Sequence, residues 1–165
     1  MKLTEVLLAA TLALLMGCGG KAPEPATQTP AMVAAKKALD EGRYAEAVGL
    51  YTAELAAEEA KPKPSWVQLS YLNDLLGVAL NKAGQYDKAL EYYQKSLAID
   101  LKQLGPEHPN VAASYNNMAY VFKAKKDLPK AKEYWEKAYA IRLKKLGPDH
   151  PDTKDTKAAL DALKK

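Results

Sequence analysis

Leu104-Gly105-Pro106-Glu107-His108-Pro109 returns as Leu146-Gly147-Pro148-Asp149-His150-Pro151, the same hexapeptide with one acid exchanged for another, 42 residues further along the chain. Ala47, Ala89 and Ala131 hold equivalent places at the same step of 42. Self-similarity at a fixed period is the mark of a solenoid, in which each unit stacks on its neighbours and the array presents an extended concave face. A chain built this way is expected to be a binding surface.

Within one period, Tyr86, Ala89, Leu90, Tyr93, Leu97, Leu101 and Leu104 recur mostly at three- and four-residue steps. That spacing predicts an amphipathic helix whose apolar stripe is core. Gly42 and Gly84 fall between two helices, where a left-handed residue ends a helix at least cost. Lys126 is their counterpart in the third unit, and a lysine in left-handed backbone costs on the order of 1 kcal/mol. Pro129 suits the first turn of the following helix, because its missing N–H has no partner to lose there. After Pro151 the segment from Asp152 to Lys165 reads as one more helix with Ala159, Leu160 and Leu163 on one face, the solvent-tolerant cap that a solenoid needs.

Leu76-Gly77-x-x-Leu80 leads to Ala89-x-x-x-Tyr93, and Met118-Ala119-x-x-Phe122 leads to Ala131-x-x-x-Trp135. This resembles the tetratricopeptide repeat, whose pattern runs L-G-x-x-Y and then A-x-x-x-F over about 34 residues. The longer period and the LGPxHP connection resemble the form found in kinesin light chains and many bacterial proteins, and residues 114–141 match it best. The resemblance implies an all-α, right-handed superhelix of about three hairpins, at 31–64, 65–106 and 107–148, with a capping helix at 151–164, all in one domain over 31–165. It also implies that Ala89 and Ala131 mark close helix approaches and that Tyr93 and Trp135 fill space toward the next repeat. The first repeat keeps Tyr44, Ala47 and Tyr51, but Pro62-Lys63-Pro64-Ser65-Trp66-Val67 replaces the hexapeptide, so its connection is expected to be built differently.

The first seventeen residues read as an export signal: Lys2 supplies the positive start, and Val6 to Met16 is an apolar run broken only by Thr11. The run is short of the ~20 residues that a membrane-spanning helix needs. Leu15-Met16-Gly17-Cys18 resembles the lipobox of bacterial lipoproteins, which implies cleavage before Cys18 and acylation of its thiol. Cys18 is the only cysteine, so no internal disulfide competes for it. Several acyl chains at ~0.8 kcal/mol per buried methylene make a stable anchor. Gly19 follows in place of the aspartate that favours inner-membrane retention in Gram-negative lipoproteins, which points to the outer membrane, facing the periplasm. Residues 18–30, rich in Pro, Ala, Thr and Gly, read as a flexible tether.

A net charge of +4, with lysines interleaved among acids instead of clustered, leaves out the footprint of a nucleic-acid binder. The only histidines, His108 and His150, sit in the repeated turn and read as helix starts; no Cys or further His is at hand to complete a metal site in the folded part. Asp40, Glu41, Glu58 and Glu59 read as solvated faces. No catalytic constellation, metal or cofactor is expected.

In tetratricopeptide arrays the first helix of each repeat lines the groove. Carried onto this chain, the ligand-facing positions are Tyr71, Asp74, Val78 and Asn81 from the second repeat and Ala113, Asn116, Tyr120 and Lys123 from the third, with Asn117 beside them. Such a mixture can bond a peptide backbone and bury apolar side chains. The expected function is that of a lipid-anchored envelope adaptor that grips a polypeptide. A self-associating structural lipoprotein of an assembly such as a pilus or secretin complex is the alternative, and an enzyme with an unrecognised site a third.

Overall fold

The computed structural model describes residues 26–163. Among them are seven helices and no strand: α1 (Pro30–Asp40), α2 (Tyr44–Glu59), α3 (Trp66–Lys82), α4 (Tyr86–Leu104), α5 (Pro109–Ala124), α6 (Leu128–Leu146) and α7 (Pro151–Ala162). The signal segment, Cys18 and most of the tether lie outside the described residues. α1 with α2, α3 with α4 and α5 with α6 form hairpins; α2 then packs on α3, α4 on α5 and α6 on α7, and α3 also touches α5. The architecture is the expected all-α superhelix, with α3 and α5 side by side.

The hairpin turns are one device used three times. Gly42, Gly84 and Lys126 have φ of 76°, 75° and 64°. In each the following residue donates back across the helix end, Arg43 N to the Ala38 carbonyl at 2.8 Å, Gln85 N to that of Leu80 at 2.9 Å and Asp127 N to that of Phe122 at 2.9 Å. This is the Schellman closure, which satisfies carbonyls that the helix leaves over. Pro129 lies in the first turn of α6 as expected.

The hexapeptides build a second device. Gly105 and Gly147 end α4 and α6 with φ 84°, and His108 and His150 cap α5 and α7, each Nδ1 accepting the N–H of the residue two further on at 3.2 Å. Glu107 ties this turn to the next repeat through Lys144 and Lys145. The first connection is indeed different. Ser65 caps α3, and Glu58, read from sequence as solvated, is 4% exposed. It accepts the Ser65 N–H at 2.7 Å and the Lys61 ammonium at 2.5 Å, so a buried carboxylate does the work of the missing hexapeptide.

The core is a row of small residues against rings. Ala35, Ala47, Ala89, Ala119 and Ala131 are fully buried beside Tyr51, Tyr93 and Trp135. The Tyr93 ring lies on Gly77, where an added Cβ would stand 2.6–2.9 Å from ring atoms. The stripe read along α4 needs one correction: Leu101 is 37% exposed, and the inward places toward the end of the helix belong to Ser96 and Asp100, each 2% exposed. Consecutive four-residue steps, Tyr93 to Leu97 to Leu101, each overshoot a full turn by about 40°, whereas the mixed steps from Ala89 through Tyr93 and Ser96 to Asp100 stay on the core side, so polar side chains take the inward places.

Candidate functional site

α3 and α5 present their facing sides across the end of α4, and between them lies a cavity of about 380 Å³. Of the ligand-facing residues expected from sequence, Tyr71, Asp74 and Ala113 line it. Asn117 reaches across from α5 and donates to Asp74 Oδ1 at 2.9 Å. Val78 is partly buried against the core cluster. Asn81 and Asn116 are half-buried, and their side-chain amides make no hydrogen bond among the described residues. Tyr120 and Lys123 turn away from the cavity toward α6: the exposed Tyr120 ring meets Trp135 edge-on at 5.1 Å, and Lys123 lies 5.9 Å from the same indole.

Sequence reasoning missed the polar floor. Ser70 donates to Asp100 Oδ1 at 2.7 Å and lies 3.0 Å from the Ser96 hydroxyl, all three residues being buried. Ser114 lines the same cavity and is 2% exposed, and its hydroxyl makes no hydrogen bond among the described residues. A signal was there to find: Asp100 stands at the same register as Glu58 and Arg142, so each second helix carries a charge at one place in its repeat.

The electrostatics follow from burial. Desolvation pushes the Asp74 carboxyl up to about 6 against the pull of the Asn117 bond, and the Asp100 carboxylate adds repulsion in the same direction. Asp100 is raised as well, burial outweighing its Ser70 bond and the nearby His108. His108, the basic group beside it, is lowered by burial in spite of the attraction of Asp100. Two carboxylates therefore share a walled space. No group of acids, cysteines and histidines among the described residues has the arrangement to hold a metal ion.

Ala26 also lines the cavity, and Thr27 next to it is held to α3. Its N–H donates to Gln68 Oε1 at 2.8 Å and its carbonyl accepts from Gln68 Nε2 at 2.9 Å, a paired contact of a side-chain amide with extended backbone at the head of α3.

Residues 67–144 and, overlapping them, 111–163 match the family described as Tetratricopeptide repeat. The chain belongs to the tetratricopeptide repeat family. The fold is similar to that of BtubC (BKLC) from P. vanneervenii, at 26% identity and a TM-score of 0.71 over 81% of this chain and 52% of that one. A kinesin-light-chain-type protein of Podosopora anserina with nearly identical TPR-like repeats gives 26% identity and a TM-score of 0.72 over 81% of this chain and 63% of that one. The chain thus spans less than two thirds of the length of either. The type III secretion translocator chaperone SycD of Yersinia enterocolitica shares the fold, with a TM-score of 0.61 at 19% identity over 81% of both chains. No curated protein sequence matches the chain. A tetratricopeptide array with an open face between its first helices is the architecture of a protein–protein interaction adaptor.

Proposed function

We propose that this chain is a lipid-anchored adaptor of a bacterial envelope membrane that holds another polypeptide against the face formed by α3 and α5. The observation that carries the groove is the cavity between those helices, walled by Tyr71, Asp74 and Ala113 at the places where the family's ligand-facing positions fall. A polar floor that includes the Ser114 hydroxyl, with the Trp66 and Tyr71 rings in the wall, supplies the two things a peptide groove needs, free hydrogen-bonding groups and apolar burial. The anchor rests on Leu15-Met16-Gly17-Cys18 and on the absence of a second cysteine; the outer-membrane address rests on Gly19. No helix among the described residues is long and apolar enough to cross a membrane, so attachment through acylated Cys18 is the route proposed. The reading is non-catalytic, in line with a family that consists mainly of scaffolds.

Affinity capture from envelope extract tests the groove, with Tyr71→Ala as the altered form and Tyr120→Ala, whose ring packs on Trp135 outside the cavity, as the comparison. Loss of the captured partner in Tyr71→Ala but not in Tyr120→Ala supports the groove; a partner retained by Tyr71→Ala removes it. Mass analysis of the mature N-terminus tests the anchor, and an unmodified Cys18, or membrane retention of Cys18→Ser, refutes it.

A further inference from the structure

Glu58, Asp100 and Arg142 occupy one register of the three second helices, 42 residues apart, and are 4%, 2% and 8% exposed. A charge buried to that degree is costly unless it is compensated. Two of the three are compensated by the chain itself. Glu58 has the Lys61 ammonium and the Ser65 N–H. Arg142 donates through Nη1 to Thr156 Oγ1 at 2.6 Å and to the Asp152 carbonyl at 3.1 Å, and the Asp152 and Asp155 carboxylates attract its charge. Asp100 has only the neutral Ser70 hydroxyl among the described residues, and the imidazole beside it is held toward its neutral form by burial.

The parallel extends to the surroundings. Thr156, which receives Arg142, stands 42 residues after Ser114, the buried hydroxyl on the cavity wall that makes no hydrogen bond among the described residues. Between α6 and α7 a guanidinium occupies the seam and satisfies the threonine. At the corresponding place between α4 and α5 there is instead the cavity of about 380 Å³, with Asp100, Asp74, Ser70 and Ser114 around it and Trp66 and Tyr71 in its wall.

We propose that this cavity binds the guanidinium group of an arginine side chain presented by a partner polypeptide. The third repeat supplies the template, since a guanidinium on the chain's own Arg142 already bonds the residue equivalent to Ser114. A guanidinium is planar and weakly hydrated, offers a fork of donors to a carboxylate and stacks on aromatic faces. Asp100 and Asp74 give it two anions, Ser70 and Ser114 give it hydroxyl oxygens, and Trp66 and Tyr71 give it flat apolar surface. Lysine offers a point charge without the fork or the stacking plane and binds less well. The inference names one residue of the ligand and rests on the groove reading above.

Titration calorimetry of the full chain in mild detergent, with N-acetyl-Ala-Arg-Ala-amide and its citrulline isostere as probes, tests it. Citrulline keeps the shape and removes the charge. Saturable binding of the arginine probe, about tenfold or more tighter than citrulline, is the expected result. Asp100→Arg, which delivers a guanidinium to Ser114 from the chain itself, should abolish it with the helical circular dichroism intact. Asp74→Asn retains an oxygen for Asn117 and should weaken binding about tenfold; it decides the matter if Asp100→Arg does not fold. Equal binding of both probes, no saturable binding of the arginine probe, or unchanged binding by Asp74→Asn would overturn the proposal. A partner captured through Tyr71 by a chain that ignores arginine would leave the groove standing and remove only this inference.

Discussion

Ser70, Ser96 and Asp100 flank the seam between α4 and α5, where Ala112, Ala138 and Arg142 stand at the equivalent places around the seam between α6 and α7. The backbones of the two seams are nearly identical: Gly105 and Gly147 share φ 84° with ψ of 166° and 169°, and both histidine caps are 3.2 Å long. What differs is side-chain volume and the sign of one buried charge. The later seam is closed by Arg142, with α7 lying over Ala119, Ala131 and Trp135. The earlier one keeps two carboxylates and three serines facing an open space. A repeated scaffold thus separates support from recognition by a handful of substitutions, without altering its turns.

The closed seam is the one that a single change damages most. Arg142→Ala removes two hydrogen bonds and leaves a cavity under α7, so unfolding free energy should fall by about 3 kcal/mol. Denaturant melts give the total, and hydrogen exchange should show the loss concentrated in α7. A change below about 1 kcal/mol would mean that apolar packing of Leu160 and Leu163 closes the seam unaided.

The second largest effect separates the two hairpins. The third repeat has Ala119 where the second has Gly77, and a methyl group at Gly77 would meet the Tyr93 ring at 2.6–2.9 Å. Gly77→Ala gains up to ~1 kcal/mol of helix propensity and should still lose about 2 kcal/mol net through overpacking. A neutral outcome in thermal melts would show that the ring can slide away, and the second hairpin would then be as tolerant as the third.

Asp74→Asn acts in the opposite direction. Between pH 4 and 6 the folded chain keeps an Asp74 proton that the unfolded chain has released, so stability falls as pH rises through that window and stays lower above it. One pKa unit is ~1.4 kcal/mol. The rise from 3.8 to about 6 therefore bounds the penalty near 3 kcal/mol, and partial solvent access reduces it to roughly 1–2 kcal/mol. The substituted chain should match the parent below pH 4 and exceed it by that amount at pH 7, in urea melts across the range. A constant difference at all pH values would show that Asp74 is not the group responsible. The stability recovered here is the cost of keeping an anion in the open seam, which the closed seam avoids with Asn116.

Much of this comparison could be read before any coordinates. The 42-residue step, the glycine turns, the histidine starts and the capping helix are local signals, each tied to a backbone requirement that only a few residue types meet. Tyr71, Asp74 and Ala113 were legible because their positions come from the repeat register. The polar floor was not. Ser96 and Asp100 sit on a helix whose leucines suggested a different inward face, and only tertiary packing decides which residues of a wide stripe are covered. Glu58 was misread for a related reason, because its burial depends on Ser65 and Lys61 beyond the end of its own helix. Tyr120 and Lys123 kept to the expected helix but turned to Trp135, a ring on α6 that no counting within α5 can foresee.

The smallest predicted effect asks whether the turns really are interchangeable, as the comparison of seams assumes. Lys126 holds φ 64° where Gly42 and Gly84 hold 76° and 75°. A side chain in that conformation costs ~1–2 kcal/mol, whereas glycine there gives back ~0.5–1 kcal/mol in unfolded-state entropy. Lys126→Gly should therefore stabilise by about 0.5–1 kcal/mol, a rise of roughly 2–3 °C in Tm. The reciprocal Gly84→Lys has open space around its Cβ, so its cost is confined to the backbone and should be equal and opposite. Combining the two moves the lysine turn from the third repeat to the second, and the melting temperature should return to that of the parent. A double variant clearly less stable than the parent would show that the second hairpin, which carries the open seam, depends on its glycine in a way that the third does not.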